Sequence, residues 1–510
     1  MIGTTHLHLY LSARQILLVL AALTVSLALP ADADVTLPAL LADHMVIQRG
    51  LPVHLWGRAA PHEPIAVTFR GETKPATADD DGRWSIFLSP GEAGGPFQVS
   101  VKGANTIILS DILVGDVWIA SGQSNMEFPM TDLANPQAEI GVAQYPKIRI
   151  FLVKHKAADY PQENVESKGW STCTPETVAD SSAVAYFFAR NLQQKLGVPI
   201  GLVESFWGGT PAESWTSLHT LSADASLMPV FSARAKTLDS ESTTVLHLER
   251  EEREFQQAVA QAKADGKPLP WRRWHPDFAA WAPAALYNGM IAPLTPFAIR
   301  GVIWYQGEAN DGPDRAPLYA RLFQAMIRDW RHAWGEGDFP FLFVQIANFN
   351  IAAENLWPNV RDAQRRALAL KNTGMAVTID IGDPDDIHPK NKQDVGIRLA
   401  LAARAIAFGE NVEWSGPLYR QVTREDHGLR VWFDHAMGLV AKGEELTGFE
   451  VAGADGKYSA ATAKIDGASV IVSNPTEPMP VTVRYGWAAN PNCNLFNKEG
   501  LPASPFEASE

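Results

Sequence analysis

Residues 114–126 read VGDVWIASGQSNM. The stretch Val114 to Ala120 is a mostly apolar, β-prone run, and it breaks at Gly122, which leaves Ser124 on a turn just past the end of a strand. A strand that stops on a glycine and presents a serine at its carboxyl end is the local pattern of a sheet with chemistry at its edge. The same strand-like runs recur at Val198 to Val203, Ile299 to Trp304, Phe341 to Ile346 and Met375 to Asp380. Helical stretches such as Ala183 to Leu196 and Pro317 to Trp334 lie between them. Near-continuous apolar strands alternating with helices predict an α/β domain with a mostly parallel sheet covered on both faces. Its active site is expected at the carboxyl ends of the strands.

Outside this block the pattern changes. Ala66 to Phe69, Trp84 to Phe87 and Phe97 to Val101 are short β-rich runs separated by turn signals at Asp81-Gly82 and Gly94-Gly95-Pro96. Leu429 to Phe433, Ser469 to Ser473 and Val481 to Tyr485 repeat that pattern after Gly409. Each group predicts a β-sandwich. The expected division is 34–110 for the first, 111–410 for the α/β domain and 411–510 for the second. A helical insertion is expected near 219–282. Within it Leu248 to Lys263 carries Leu248, Phe255 and Val259 on one stripe, as a solvated surface helix or a lid. Trp271, Trp274 and Trp281 are core residues or sugar-stacking groups.

At 510 residues the chain has room for about three domains by the usual 150 residues each. The 43 Lys and Arg against 57 Asp and Glu leave a net charge of −14, which disfavours a nucleic-acid or anionic-membrane partner. Two cysteines, Cys173 and Cys493, exclude a disulfide framework and a four-cysteine zinc site, though they are free to pair. Residues 16–29 form an apolar run too short to span a bilayer, closed by Pro30, and Ala31-Asp32-Ala33 offers small residues for cleavage after Ala33. Residues 1–33 therefore read as a signal peptide, and the mature protein is expected in the periplasm or secreted, with no membrane span.

Four strand-end loops carry the chemistry. Ser124 is a candidate nucleophile, with helix capping as its plainer role. Trp207-Gly-Gly-Thr210 follows a second strand, and Gly208 and Gly209 let backbone N–H groups approach a ligand, as an oxyanion hole requires. Trp304-Tyr-Gln-Gly-Glu308 presents the amide of Gln306. Asp385-Asp-Ile-His-Pro389 supplies His388 with acidic neighbours that would orient the ring of a general base. Each loop alone is a weak signal. Together they supply nucleophile, backbone donors, amide donor and base.

These blocks resemble those of the sialate O-acetylesterase group of SGNH hydrolases. The flanks match as well, at His44-Met-Val-Ile-Gln48, Asp81-Gly-Arg-Trp84, Tyr287-Asn-Gly-Met290 and Arg361-Asp-Ala-Gln364. The resemblance covers essentially the whole mature chain. It implies an SGNH-type three-layer core and a serine carbohydrate esterase that removes acetyl groups from sugars through an acetyl-serine intermediate, with no metal or cofactor. Carried over by position, Ser124 is the nucleophile and His388 the base. The N–H of Ser124, a Gly208 or Gly209 N–H and the Gln306 side chain make the oxyanion hole. Gln123 and Gln306 stand where the general SGNH pattern has Asp and Asn. The acid is Asp385 by the general spacing and Asp386 by the Asp-Ile-His-Pro block, or a Ser–His dyad works without one. Substrate contacts are expected from Gln123, Asn125, Glu213 and Arg361, the last as the cation a sialate carboxylate would need. An acetylated xylan or other plant polysaccharide is the alternative substrate, and an inactive carbohydrate-binding protein the rival from another class.

Overall fold

The computed structural model describes residues 34–267, 269, 270, 277–352 and 354–510. The expected signal segment, Trp271 and Trp274 lie outside the described residues. Two compact units divide the chain: the smaller takes the described residues up to 37 with 55–86 and 99–108, and the larger takes 38–54, 87–98 and 109–510. Segments 38–54 and 87–98, which the strand pattern groups with the N-terminal module, thus cluster with the larger unit. One reason is that β1 (Val46–Gln48) pairs in parallel with Leu113 to Gly115, and the Val117 N–H donates to Gln48 Oε1 at 2.8 Å.

The smaller unit holds β3 (Pro64–Phe69) and β4 (Glu72–Thr77) whole, with residues 55–58 of β2 (Val53–Arg58), 83–86 of β5 (Arg83–Leu88) and 99–102 of β6 (Gly94–Lys102); β2 pairs with β5, and β3 with β4 and β6. The β3–β4 hairpin turns on Arg70 and Gly71, both at positive φ, which matches the turn to the right-handed twist of its strands. Ile65, Val67 and Phe69 point inward at every second position, the period expected of a half-buried strand.

The larger unit is built on β7 (Thr106–Gly122), β8 (Tyr145–Val153), β9 (Ser167–Cys173), β10 (Ile200–Phe206), β11 (Gly301–Tyr305), β12 (Phe341–Val344) and β13 (Thr373–Ala376). They lie in the order β13-β12-β11-β7-β10-β8-β9, parallel throughout except for the edge pair β8–β9. Gly122 is in register with Phe206 on one side and Tyr305 on the other. The loops after β7, β10 and β11 therefore leave the sheet from one level, at the point where the chain switches from one side of β7 to the other. That crevice is where open α/β sheets place their ligands.

Six helices matter here: α1 (Ser124–Glu127), α2 (Ala183–Leu196), α3 (Pro229–Ala264), α4 (Ala316–Trp334), α5 (Trp357–Ala367) and α6 (Lys392–Ile406). Ser182 starts α2 by accepting the Ala185 N–H, and Gly197 ends it in the left-handed region. One sheet face packs on α2 and α6 through Trp118, Phe188, Leu202 and Leu399. Gly396 makes that helix pair close, since a Cβ there would lie 2.6 Å from Phe187 Cβ. The other face packs on α4, where Trp304 meets Trp330 edge-on at 5.7 Å and Phe343 meets Phe323 at 5.0 Å. Truncating one of these buried aromatics to alanine costs ~3–5 kcal/mol. Helix α3 spans 36 residues, longer than the 248–263 read from the charge pattern.

The last hundred residues form antiparallel sheets. β14 (Leu418–Glu425), β15 (Gly428–Asp434), β20 (Ser469–Ser473) and β19 (Thr462–Asp466) make one, and β18 (Ser459–Ala460), β17 (Phe449–Ala452), β21 (Thr482–Tyr485) and β23 (Phe506–Ser509) another, with β16 (Val440–Ala441) paired to β22 (Leu495–Phe496). Val431, Phe433, Val451, Val472, Val483 and Phe506 fill the core they share. Cys173 and Cys493 are free thiols, and burial pushes Cys173 up to about 12. Among the described residues no helix is long and apolar enough to cross a membrane.

Candidate active site

Gly122 ends β7 with φ 138°, and a Cβ there would lie 2.1 Å from the Tyr305 carbonyl oxygen. Only glycine fits a turn pressed so closely on β11. The Gln123 N–H then donates to that same carbonyl at 2.9 Å, and Ser124 opens α1. As the first residue of a helix its N–H has no acceptor within the helix.

The loop between β13 and α6 brings His388 to it. Nε2 of His388 lies 2.8 Å from Ser124 Oγ. Burial and the Lys392 ammonium lower the His388 pKa against the opposing pull of Asp386 and Asp132, so the ring favours its neutral form. A hydroxyl held against a neutral imidazole is poised for proton transfer. Asp386 accepts the His388 backbone N–H at 2.9 Å, while its carboxylate stands 3.9 Å from Nδ1, beyond hydrogen-bond reach. Asp385 is exposed, and its N–H donates to Asp383 in a local turn. Of the two acidic neighbours, Asp386 is the one beside the ring.

The Trp207 to Thr210 loop lies against the serine. A Cβ on Gly208 would sit 3.3 Å from Ser124 Cβ, so glycine permits the approach. The Gly208 N–H donates to Glu127 Oε2 at 2.6 Å, and Glu127 Oε1 lies 3.1 Å from His155 Nε2. His155 in turn stacks flat on Trp207 at 4.3 Å. The Trp281 indole donates to the Gly209 carbonyl at 2.8 Å and carries the Arg315 guanidinium over its face, so this tryptophan braces the loop. Ser124, Glu127, Trp170, Asp386, His388 and Lys390 are among the residues lining a cleft of about 1470 Å³.

Several residues read from the sequence as ligand-facing are committed elsewhere. Gln306 is fully buried; its amide donates to Asn310 Oδ1 at 2.6 Å and the Thr210 carbonyl at 3.2 Å, and its oxygen accepts from Tyr319. It has no hydrogen left for an oxyanion, so it does not fill the place in that hole expected from the sequence. Arg361 is also fully buried and donates to the carbonyls of Ile346, Ala347, Ala488 and Ala489. It is no cation for a substrate. Glu213 is buried and accepts from Asn310 and Arg315. Gln123 is buried with its oxygen accepting the Ala309 N–H. Asn125 is 1% exposed and bonds to Glu308, Ile387 and Lys392. These three therefore hold loops in place instead of facing the cleft.

Sequence reasoning passed over Glu127, Lys392 and Glu308. Glu127 stands one helical turn after Ser124, a spacing that puts both on one side of α1 and was available as a signal. Lys392 gave none, because a lysine at a helix start reads as solvated, and Glu308, though it closes the Trp304 to Glu308 block, carries no local sign of its burial.

A covered, mostly parallel sheet that brings a hydroxyl–imidazole pair together at the carboxyl ends of its strands is the plan of an ester hydrolase. A family model described as a carbohydrate esterase, sialic acid-specific acetylesterase, matches residues 249–406, which include His388. The sialate O-acetylesterase of Rattus norvegicus is 31% identical over 83% of this chain and 84% of its own length, and that of Homo sapiens 29% over 89% and 88%. A crystal structure of a carbohydrate acetylesterase from Xanthomonas citri superposes with a TM-score of 0.81 at 38% identity, covering 93% of this chain and all of that one. The chain belongs to the sialate O-acetylesterase family and is a carbohydrate esterase.

Proposed function

We propose that this esterase removes O-acetyl groups from sugars by a serine mechanism. The observation that carries the reading is the 2.8 Å contact between Ser124 Oγ and His388 Nε2. His388 takes the proton from Ser124 as its oxygen attacks the acetyl carbonyl, the sugar hydroxyl leaves with that proton, and water releases acetate from the acetyl-serine through the same base. The oxyanion is held by the Ser124 N–H and the Gly208–Gly209 loop; because Glu127 takes the Gly208 N–H, Gly209 is the loop's donor in this reading. Asp386 supports the base by accepting the His388 backbone N–H and by its charge, and Asp385 has no part.

In this proposal the chemistry belongs to an SGNH-type core on residues 111–410, with β-sandwich modules before and after it in the chain, and the apolar segment 16–29 directs export to the periplasm or beyond. Acetylated sialic acid is the first substrate, since Lys168 and Lys390 line the cleft and offer its carboxylate the cation that Arg361 does not. Acetylated xylan is the second, favoured by the carboxylates of Asp132 and Asp180 on the same walls, which suit a neutral chain better than an anion. Acetate release from the two substrates under matched conditions separates the readings. Faster release from acetylated sialic acid supports the first, and faster release from xylan replaces it.

A further inference from the structure

The Asn125 side chain spends both of its N–H donors and its carbonyl oxygen on partners inside the protein. Its amide nitrogen donates to Glu308 Oε1 at 2.6 Å and to the Ile387 carbonyl at 3.0 Å, and its oxygen accepts from Lys392 Nζ. The three partners stand 183, 262 and 267 positions away in the chain. They come from the loop after β11, from the histidine loop and from the first residue of α6. One buried amide next to Ser124 thus ties together the segments that build the site.

The Ile387 contact bears directly on the base. Its carbonyl belongs to the peptide group whose N–H is that of His388, and that N–H is itself held by Asp386. Both ends of the peptide are therefore fixed, one to the nucleophile's helix and one to the acid. His388 Nδ1 has no hydrogen bond among the described residues, so its ring is oriented through the backbone and not through the usual carboxylate at Nδ1. Lys392 is 1% exposed, with Nζ 4.6 Å over the Phe128 ring and 5.6 Å from that of Tyr305. A cation so placed is stabilised by ring faces and a buried carboxylate. The groups facing it that titrate are Glu308, Asp386, His388 and Tyr305.

We infer that Asn125, Lys392 and Glu308 form a buried clip that positions His388 against Ser124, an inference that rests on the serine mechanism proposed above. Burial pushes Lys392 down to about 7 while Glu308 and Asp386 oppose it, and burial raises Glu308. The ammonium also lowers the basicity of His388. Removing it moves the base in a defined direction, which a purely structural lysine would not do.

The test compares wild type with Asn125→Ala and with the charge-balanced double variant Lys392→Met/Glu308→Gln, each checked for cooperative unfolding. Losing the clip lowers kcat on p-nitrophenyl acetate by about 10–100-fold with KM changed less than about threefold, the signature of misplaced reacting groups. In the double variant the acid limb of kcat/KM against pH moves upward. A folded Asn125→Ala with wild-type kcat overturns the clip, and so does a double variant whose acid limb stays put. Should Asn125→Ala fail to fold, the double variant decides: a folded one with wild-type kcat overturns the clip, whatever its pH profile. Fluorophosphonate labelling of wild-type Ser124 keeps the two levels apart: labelled serine with unaffected variants sinks only the clip, and unlabelled serine sinks the mechanism beneath it.

Discussion

The backbone N–H of Gly208 is bonded to the carboxylate of Glu127 at 2.6 Å, so the glycine loop is anchored to the same short helix that carries Ser124. Both walls of the reacting centre are therefore tied to each other. Replacing Glu127 by alanine leaves that N–H without its charged acceptor, and hydrogen bonds to charged groups contribute about 1.5–3 kcal/mol. The expected result is a fall in kcat of about 10–100-fold with a smaller change in KM, and partial recovery in Glu127→Gln, whose amide oxygen still accepts. Steady-state kinetics on p-nitrophenyl acetate measure it. A gain in rate for Glu127→Ala would mean instead that the carboxylate blocks the hole.

The pH dependence follows from the environment of His388. A general base works unprotonated, and burial with the nearby Lys392 lowers this ring from its ordinary value of 6.5. kcat/KM is therefore expected to be on its plateau at neutral pH and to fall as pH drops through a midpoint below 6.5. Asp386→Asn removes an influence that raises the ring and should shift the midpoint lower still, while Asp385→Asn should leave the profile unchanged. A wild-type midpoint above 6.5 would contradict this picture of the base.

Gln306→Ala is expected to act on stability first. It takes the Thr210 carbonyl's donor and the shorter of two acceptors from the buried Tyr319 hydroxyl, which keeps the backbone carbonyl of residue 306 at 3.3 Å, and a buried group left unpaired costs about 1–3 kcal/mol. Chemical denaturation should show a lowered midpoint, with kcat reduced less than the ~10²–10³ that follows loss of a direct oxyanion donor. A variant of wild-type stability with kcat down a thousandfold would restore Gln306 to the hole.

Arg361→Met separates position in the chain from position in space. Four carbonyls lose the guanidinium; Ala347 keeps the Trp357 indole and Ala489 the Phe349 N–H, while Ile346 and Ala488 are left short of a donor, so a loss of about 2–6 kcal/mol in unfolding free energy is expected. The ratio of kcat/KM between acetylated sialic acid and acetylated xylan should stay as in wild type. A ratio that turned toward xylan would place this guanidinium in substrate binding after all.

The strands around Ser124 were legible because their signal is local. Buried parallel strands read as apolar runs, and a glycine at the end of one marks where the backbone must turn against a neighbour, as Gly122 does against Tyr305. Ser124 and His388 were legible because few loops deliver a serine and a histidine to the ends of such strands. What escaped was how polar side chains are spent. Gln306 is occupied by Tyr319, 13 positions on, and Arg361 by Ala488 and Ala489, more than a hundred positions on. Lys392 reads as a solvated lysine opening a helix, yet it is buried with its ammonium donating to Asn125, 267 positions away. Long-range satisfaction of polar groups leaves no local pattern, so a residue near the site in the chain was mistaken for one facing it.

The most direct measurement is covalent labelling by a fluorophosphonate, with the modified residue located by peptide mass spectrometry and acetate release followed in parallel. Modification confined to Ser124, with Ser124→Ala both unlabelled and reduced to background hydrolysis, is the predicted result. A folded Ser124→Ala that still releases acetate at the wild-type rate would contradict it, and the 2.8 Å contact with His388 would then be a structural hydrogen bond and not a catalytic pair.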